Sequence, residues 1–145
     1  MSINVLLPAM IVLGPFIAGL AIMATPEHKA TLRRTLNIAG ALITLSLIGL
    51  LLTSVDSGID FETRLPLLPN IDLVLRADSL SLLFVSLSGF LWFFTTIYAI
   101  GYFRDTANRS RFFAFFSLCV GATIGLALAG NLVTFLIFYE LLTLT

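Results

Sequence analysis

Four stretches of the chain carry no charged side chain: residues 3–24, 35–55, 79–103 and 112–130, of 22, 21, 25 and 19 residues. A helix rises about 1.5 Å per residue, so crossing a hydrocarbon core about 30 Å thick takes about 20 residues. All four stretches reach that length. A fifth apolar stretch, residues 132–145, has 14 residues and would rise only about 21 Å, the first part of a span. Composition points the same way. The 145 residues are 59% hydrophobic and 11% charged, against about 25% charged in a soluble domain. Too little polar surface is present to cover a water-soluble globule. The net charge of zero points neither to nucleic acid nor to an acidic partner. Cys119 is the one cysteine, so it forms no internal disulfide and is read as a packing residue.

The first stretch is a retained helix and not a secretory signal. It lacks a basic leading region, and "TPEHKA" follows it where a small-residue cleavage site would stand. Basic residues orient the helices. Loop 25–34 carries Lys29, Arg33 and Arg34, and loop 104–111 carries Arg104, Arg109 and Arg111, six of the eight basic residues. The loop between them, 56–78, has Arg64 and Arg76 against five acids, Asp56, Asp60, Glu62, Asp72 and Asp78. The positive-inside rule then places the N-terminus outside and the C-terminus, after five passes, in the cytoplasm of a bacterial-type inner or plasma membrane.

Loop 56–78 has its own pattern. Ile59, Phe61, Thr63 and Leu65 alternate with charged residues, and Ile71, Leu73 and Leu75 alternate with Asp72, Val74 and Arg76. Two half-buried strands around "PLLPN" predict an external β-hairpin. Asp78, followed by Ser79 and Ser81, is placed as the N-cap of the next helix. The other reading of Asp78 is a proton-uptake residue on an ion path. In the fourth stretch Gly121, Gly125 and Ala129 recur at four-residue spacing, a stripe that lets another helix approach closely. Gly130–Asn131 predicts a tight turn into the fifth helix and an antiparallel helical hairpin. The fold class is therefore an all-α integral membrane protein, read as one membrane domain over 1–145. It has four full transmembrane helices, the first part of a fifth (131–145), and a short external β-hairpin between helices two and three.

One residue breaks the apolar pattern. Glu140 lies nine residues beyond Asn131, about 13–14 Å along a helix and near the middle of the core. No other ionisable Asp, Glu, Lys, Arg or His falls in the five stretches. A carboxylate at that depth costs a few kcal/mol on insertion scales, so it must face protein or water and needs a partner. Leu136, Glu140 and Thr143 share a helix face, with Asn131 and Thr134 roughly opposite, and Thr143 is placed to hydrogen-bond the carboxyl group. A carboxyl group between the opposed influences of burial and a movable cation is a good proton relay. The alternatives are a neutral, hydrogen-bonded Glu that ties helices together, and a metal ligand, which no second carboxylate or His at that depth supports. The only lysine is Lys29 and every arginine is assigned to a loop, so a mid-membrane cation for Glu140 must come from a partner polypeptide or a C-terminal continuation. No Ser/His or Cys/His pair and no metal spacing appears, so no catalytic constellation, cofactor or metal is expected. His28, beside Glu27 and Lys29, is read as a solvated loop residue.

The stretch "ADSLSLLFVSLSGFLWFFTTIYAIGYFRDTANRSRFFAFF", followed by "LALAGNLVTFLIFYELLTLT", resembles the N-terminal region of the antiporter-like membrane subunits. These include the large subunits of Mrp-type cation/proton antiporters and the proton-pumping membrane subunits of respiratory complex I. The motifs are the helix start Asp78-Ser79-Leu80-Ser81, the helix end Tyr98…Tyr102, Arg109-x-Arg111-Phe112, and Asn131-Leu132 leading to Glu140. Within the Mrp group, "FYELLTLT" is most similar to the D-type large protein. The resemblance implies that Glu140 matches the family's glutamate on its fifth transmembrane helix, which pairs with a lysine on a later broken helix and takes part in proton translocation. It also implies a multisubunit membrane complex moving protons and, in the Mrp group, sodium. The chain departs from the family by covering only the first part of such a subunit. The rival expectation is a structural or assembly subunit whose Glu140 docks a partner helix.

Overall fold

The computed structural model describes residues 3–26, 29–55, 61–68, 71–103 and 109–145. Among these, five helices and one small sheet follow in order: α1 (Ile3–Met23), α2 (Ala30–Val55), β1 (Phe61–Leu68), β2 (Ile71–Ala77), α3 (Ser79–Tyr102), α4 (Arg109–Ala127) and α5 (Leu132–Leu144). The first four helices are long and apolar enough to cross a membrane, and α5 is a shorter apolar helix. The integral-membrane fold with a hairpin between helices two and three is borne out. His28 and its neighbour Glu27 lie outside the described residues, as do Asp56, Asp60 and Arg104.

α1 packs against both α2 and α4, and α3 closes the group against the same two helices. The shared core contains Ile11 and Val12 of α1, Ile48 of α2, Val85 and Trp92 of α3, and Ile124 of α4. Outward faces are also apolar: Leu83, Phe84, Leu87 and Phe94 of α3 are exposed. Helices apolar all round fit lipid, where an outward leucine meets acyl chains and not water.

The arginines correct the loop assignment. α2 begins at Ala30 and α4 at Arg109, so Arg33, Arg34, Arg109 and Arg111 are helical; Arg64 and Arg76 lie in β1 and β2, as the alternation predicts. Charge marks where hydrocarbon ends, but the backbone is still best satisfied by another helical turn. The Arg33 N–H accordingly donates to the Lys29 carbonyl at 3.2 Å. With 26 residues, α2 rises about 39 Å and outruns the core. Arg33 is only 3% exposed, a cation inside the bundle at its end. Further along, the Ser117 hydroxyl of α4 donates to Phe113 O at 2.8 Å and meets Asn37 Oδ1 of α2 at 3.3 Å.

The small-residue stripe of α4 serves several neighbours. A Cβ on Gly121 would meet the Phe16 ring of α1 at 3.0 Å, and one on Gly125 would meet Phe138 of α5 at 2.3 Å. Ala129, just past the helix, pairs with Leu75 of β2 in an isolated antiparallel bridge.

β1 and β2 pair antiparallel with Phe61 opposite Ala77 and Thr63 opposite Leu75, and the register shifts between Pro66 and Leu68. Phe61, Thr63 and Leu75 are buried, so the alternation read from sequence turns one face onto the helices. Leu65, nearer the tip, is exposed, and the next pair, Glu62 and Arg64, forms an ion pair on the other face.

Asp78 caps α3. Its Oδ1 accepts the Ser81 N–H at 2.7 Å, and Ser81 Oγ accepts the Asp78 N–H at 2.9 Å, a reciprocal capping box. The Ser81 hydroxyl and N–H hold the Asp78 carboxyl below its ordinary pKa of 3.8; desolvation opposes this and the Arg76 charge adds to it. Asp78→Ala is expected to cost about 1 kcal/mol of stability, the usual loss of a cap. Because the folded pKa is depressed, the carboxylate's contribution is present above pH 3.8 and is lost as pH falls through the folded value. Acid titration of unfolding should therefore show a shallower decline over that window in Asp78→Asn, which keeps the cap but cannot titrate.

Candidate functional site

The site is built from the start of α5. Asn131 is its N-cap: extended backbone (φ −146°, ψ 165°) frees the side chain, whose Oδ1 accepts the Thr134 N–H at 2.8 Å. The same side chain turns outward to the hairpin, and its Nδ2 donates to Asp72 O at 2.8 Å. One turn on, Thr134 Oγ1 accepts the Val74 N–H at 2.8 Å. The linker before α5 behaves as a short third strand, with the Gly130 N–H donating to Val74 O at 2.8 Å and Arg76 N–H to Leu128 O at 2.7 Å. The expected turn at Gly130–Asn131 is thus an attachment to β2. Helix α5 cannot rotate without breaking it.

That attachment fixes which way each side chain points. Thr134 and Phe138 are buried, at 0% and 6% exposure, and Phe138 fills the space that Gly125 leaves. Glu140 follows Phe138 by two residues, about 200° around the helix, and it is exposed, while Thr143 is exposed as well, and so is Leu136. Among the described residues no hydrogen bond or ion pair reaches its carboxylate. The opposition of Glu140 to Asn131 and Thr134 stands as expected from periodicity.

Thr143 requires a correction. Its hydroxyl donates to the Glu140 main-chain carbonyl at 2.8 Å, not to the carboxyl group. A helical threonine has a backbone carbonyl within reach at i−3 or i−4, and that local bond wins over a side chain free to swing away. Asp78 is not brought to Glu140 either. It sits at the hairpin end with its carboxylate committed to the cap. Among the described residues no group of three His, Cys, Asp or Glu side chains could hold a metal ion.

Sequence reading missed Thr134 as a hairpin anchor and Arg33 as a buried cation. The first is a contact between residues 60 apart in sequence, which no local pattern signals. Thr134→Val keeps the shape and leaves the Val74 N–H unpaired, so it is expected to lower stability by about 1–3 kcal/mol, measured by chemical unfolding in micelles.

Four helices long and apolar enough to cross a membrane, a hairpin between the second and third, and a fifth helix that turns a carboxylate away from its own bundle define a polytopic membrane protein. The comparisons with known proteins agree. The family model for the N-terminus of NADH-ubiquinone oxidoreductase (complex I) chain 5 matches residues 69–113, from the hairpin into α4. A protein of Staphylococcus epidermidis (strain ATCC 12228 / FDA PCI 1200) assigned as antiporter subunit mnhA2 is 40% identical over 88 residues. Among solved structures, the membrane-bound sulfane sulfur reductase, an archaeal respiratory membrane complex, contains a chain matching 93% of this one with a TM-score of 0.79 at 20% identity. That match shows a shared fold. Together these findings bear out the resemblance to the antiporter-like membrane subunits. The relative's designation is mnhA2, so it speaks for the family and not for the D type in particular. This chain spans 11% of that relative's length and 21% of the matched structural chain.

Proposed function

We propose that this chain is the N-terminal part of a proton-translocating, antiporter-like subunit, acting within a multisubunit membrane complex, with Glu140 as its proton relay. One observation carries the reading: Glu140 is exposed on α5, and its place nine residues past Asn131, a rise of about 13–14 Å, supports a position near mid-depth for a helix that crosses a membrane. An ionisable group at that depth needs a partner, and the bundle gives its own polar contacts to the opposite face. A cation from a neighbouring subunit or from further chain would complete the site. Its approach favours the carboxylate, and its withdrawal favours uptake of a proton. The names of the relatives, an antiporter subunit and a complex I chain, support the same assignment.

In this reading the basic ends of α2 and α4 face the cytoplasm and the hairpin faces outside. Asp78 is a cap and Thr143 supports the Glu140 backbone; neither carries the proton. The test is ion-coupled proton transport by the intact complex with Glu140→Gln, in which transport is expected to be lost while the subunits stay assembled.

A further inference from the structure

A cavity of about 280 Å³ opens between the end of α1 and the start of α4. Its polar wall is Thr25, Ser110 and Arg111; its apolar wall includes Met23, Ala114 and Phe115. Thr25 has no donor to offer, since its hydroxyl donates to Ala21 O at 2.7 Å and its N–H to Ile22 O at 3.1 Å. Ser110 differs. It is 7% exposed, and its Oγ has no hydrogen-bond partner among the described residues. A buried hydroxyl in that condition is costly unless a ligand completes it.

The surroundings specify the sign of that ligand. Ser110 is the second residue of a 19-residue helix, whose first N–H groups lack intrahelical partners and carry about half a positive charge. Arg111 adds a full charge and a planar fork of donors suited to phosphate. No carboxylate is among the described lining residues. We propose that this cavity binds the phosphate of an anionic glycerophospholipid, held by Ser110, Arg111 and the α4 N-terminus. Met23 and Phe115, both exposed, receive the glycerol and the first acyl carbons. A free phosphate would satisfy the polar wall and leave that apolar wall unused. The inference is independent of the role given to Glu140, which is not among the described lining residues.

Native mass spectrometry of the full chain, offered equal amounts of phosphatidylglycerol and of diacylglycerol, which lacks the phosphate, tests the site. The unaltered protein is expected to retain phosphatidylglycerol about tenfold better, the value of one charge-assisted hydrogen bond. Ser110→Ala and Arg111→Gln should each bring the ratio close to one. Ser110→Thr, which keeps a hydroxyl, and Arg64→Gln, on the hairpin, should leave it unchanged. Circular dichroism identifies a variant that has lost its fold, and surface-exposed Arg111 then decides alone. Stabilisation by millimolar inorganic phosphate, lost in Arg111→Gln and accompanied by no preference between the lipids, would overturn the lipid in favour of a free anion. Equal retention of the two lipids with no response to phosphate, or an unchanged preference in Arg111→Gln, would overturn the site.

Discussion

Replacing Gly125 with leucine is expected to loosen α5 from α4 and to lower the stability of the folded chain by about 3 kcal/mol. The reason is local and rigid. A Cβ at Gly125 would lie 2.3, 2.4 and 2.6 Å from Cε1, Cδ1 and Cζ of Phe138. Three atoms of one ring cannot each step aside, so the ring must move as a body. Phe138 is 6% exposed and has no open space to enter. Nor can the helix shift, because Asn131 and Thr134 hold its first turn to β2. In lipid, helices associate through close packing and not through the hydrophobic effect, so a lost fit has little to replace it. Unfolding in mixed micelles, followed by circular dichroism, gives the measurement. Phe138→Ala in the same chain should recover much of the loss, a coupling that a double-mutant cycle reads directly. Gly49→Ala is the control, since nothing lies within 4 Å of its added Cβ. If Gly125→Leu unfolds within about 0.5 kcal/mol of the unaltered chain, as unrelated surface changes do, the contact does not hold the hairpin of helices together.

The contrast between Gly125 and Glu140 shows what kind of information a linear pattern holds. The face that Glu140 occupies follows from counting residues, because a helix has a fixed turn. The strands follow from alternation at Phe61, Thr63 and Leu75, and the cap follows from Asp78 with Ser81 three residues on. Each of these is local physics. Gly125 was legible as a place of close approach, but which partner would arrive there was not, since Phe138 is brought to it by the hairpin attachment. Helix ends were misjudged for a different reason. Lys29, Arg33 and Arg34 mark the edge of the hydrocarbon, and α2 begins before that edge, at Ala30, so Arg33 enters the bundle as a helical residue. Contacts such as Val74 with Thr134 and Asn37 with Ser117 join residues 60 and 80 apart. They depend on the assembled fold and leave no periodicity behind.

In the intact complex, Glu140→Gln is expected to reduce ion-coupled proton transport by at least about a hundredfold, the low end of what a positioned proton-transfer group contributes. Glutamine matches the shape of glutamate and keeps hydrogen-bonding capacity, but it neither binds nor releases a proton near neutral pH. The exposed face of α5 keeps its form in this variant, so a partner helix recognised by shape should still dock. Glu140→Asp keeps the titrating group and draws it back by one methylene, so partial transport is expected. Thr143→Val should transport normally, because the hydroxyl it loses serves the Glu140 carbonyl and not the carboxyl group. The rival role, a carboxylate that only docks a neighbour's cation, predicts the opposite order of failure. Removing one member of a desolvated ion pair leaves the other charge buried and unpaired, at a cost of about 3–5 kcal/mol. Co-purification of the neighbouring subunit would then fall first, and any complex that survived would still move protons. Full transport by an assembled Glu140→Gln complex would remove the carboxyl group from the proton path. Lost transport with unchanged subunit stoichiometry would support the relay and count against the docking role.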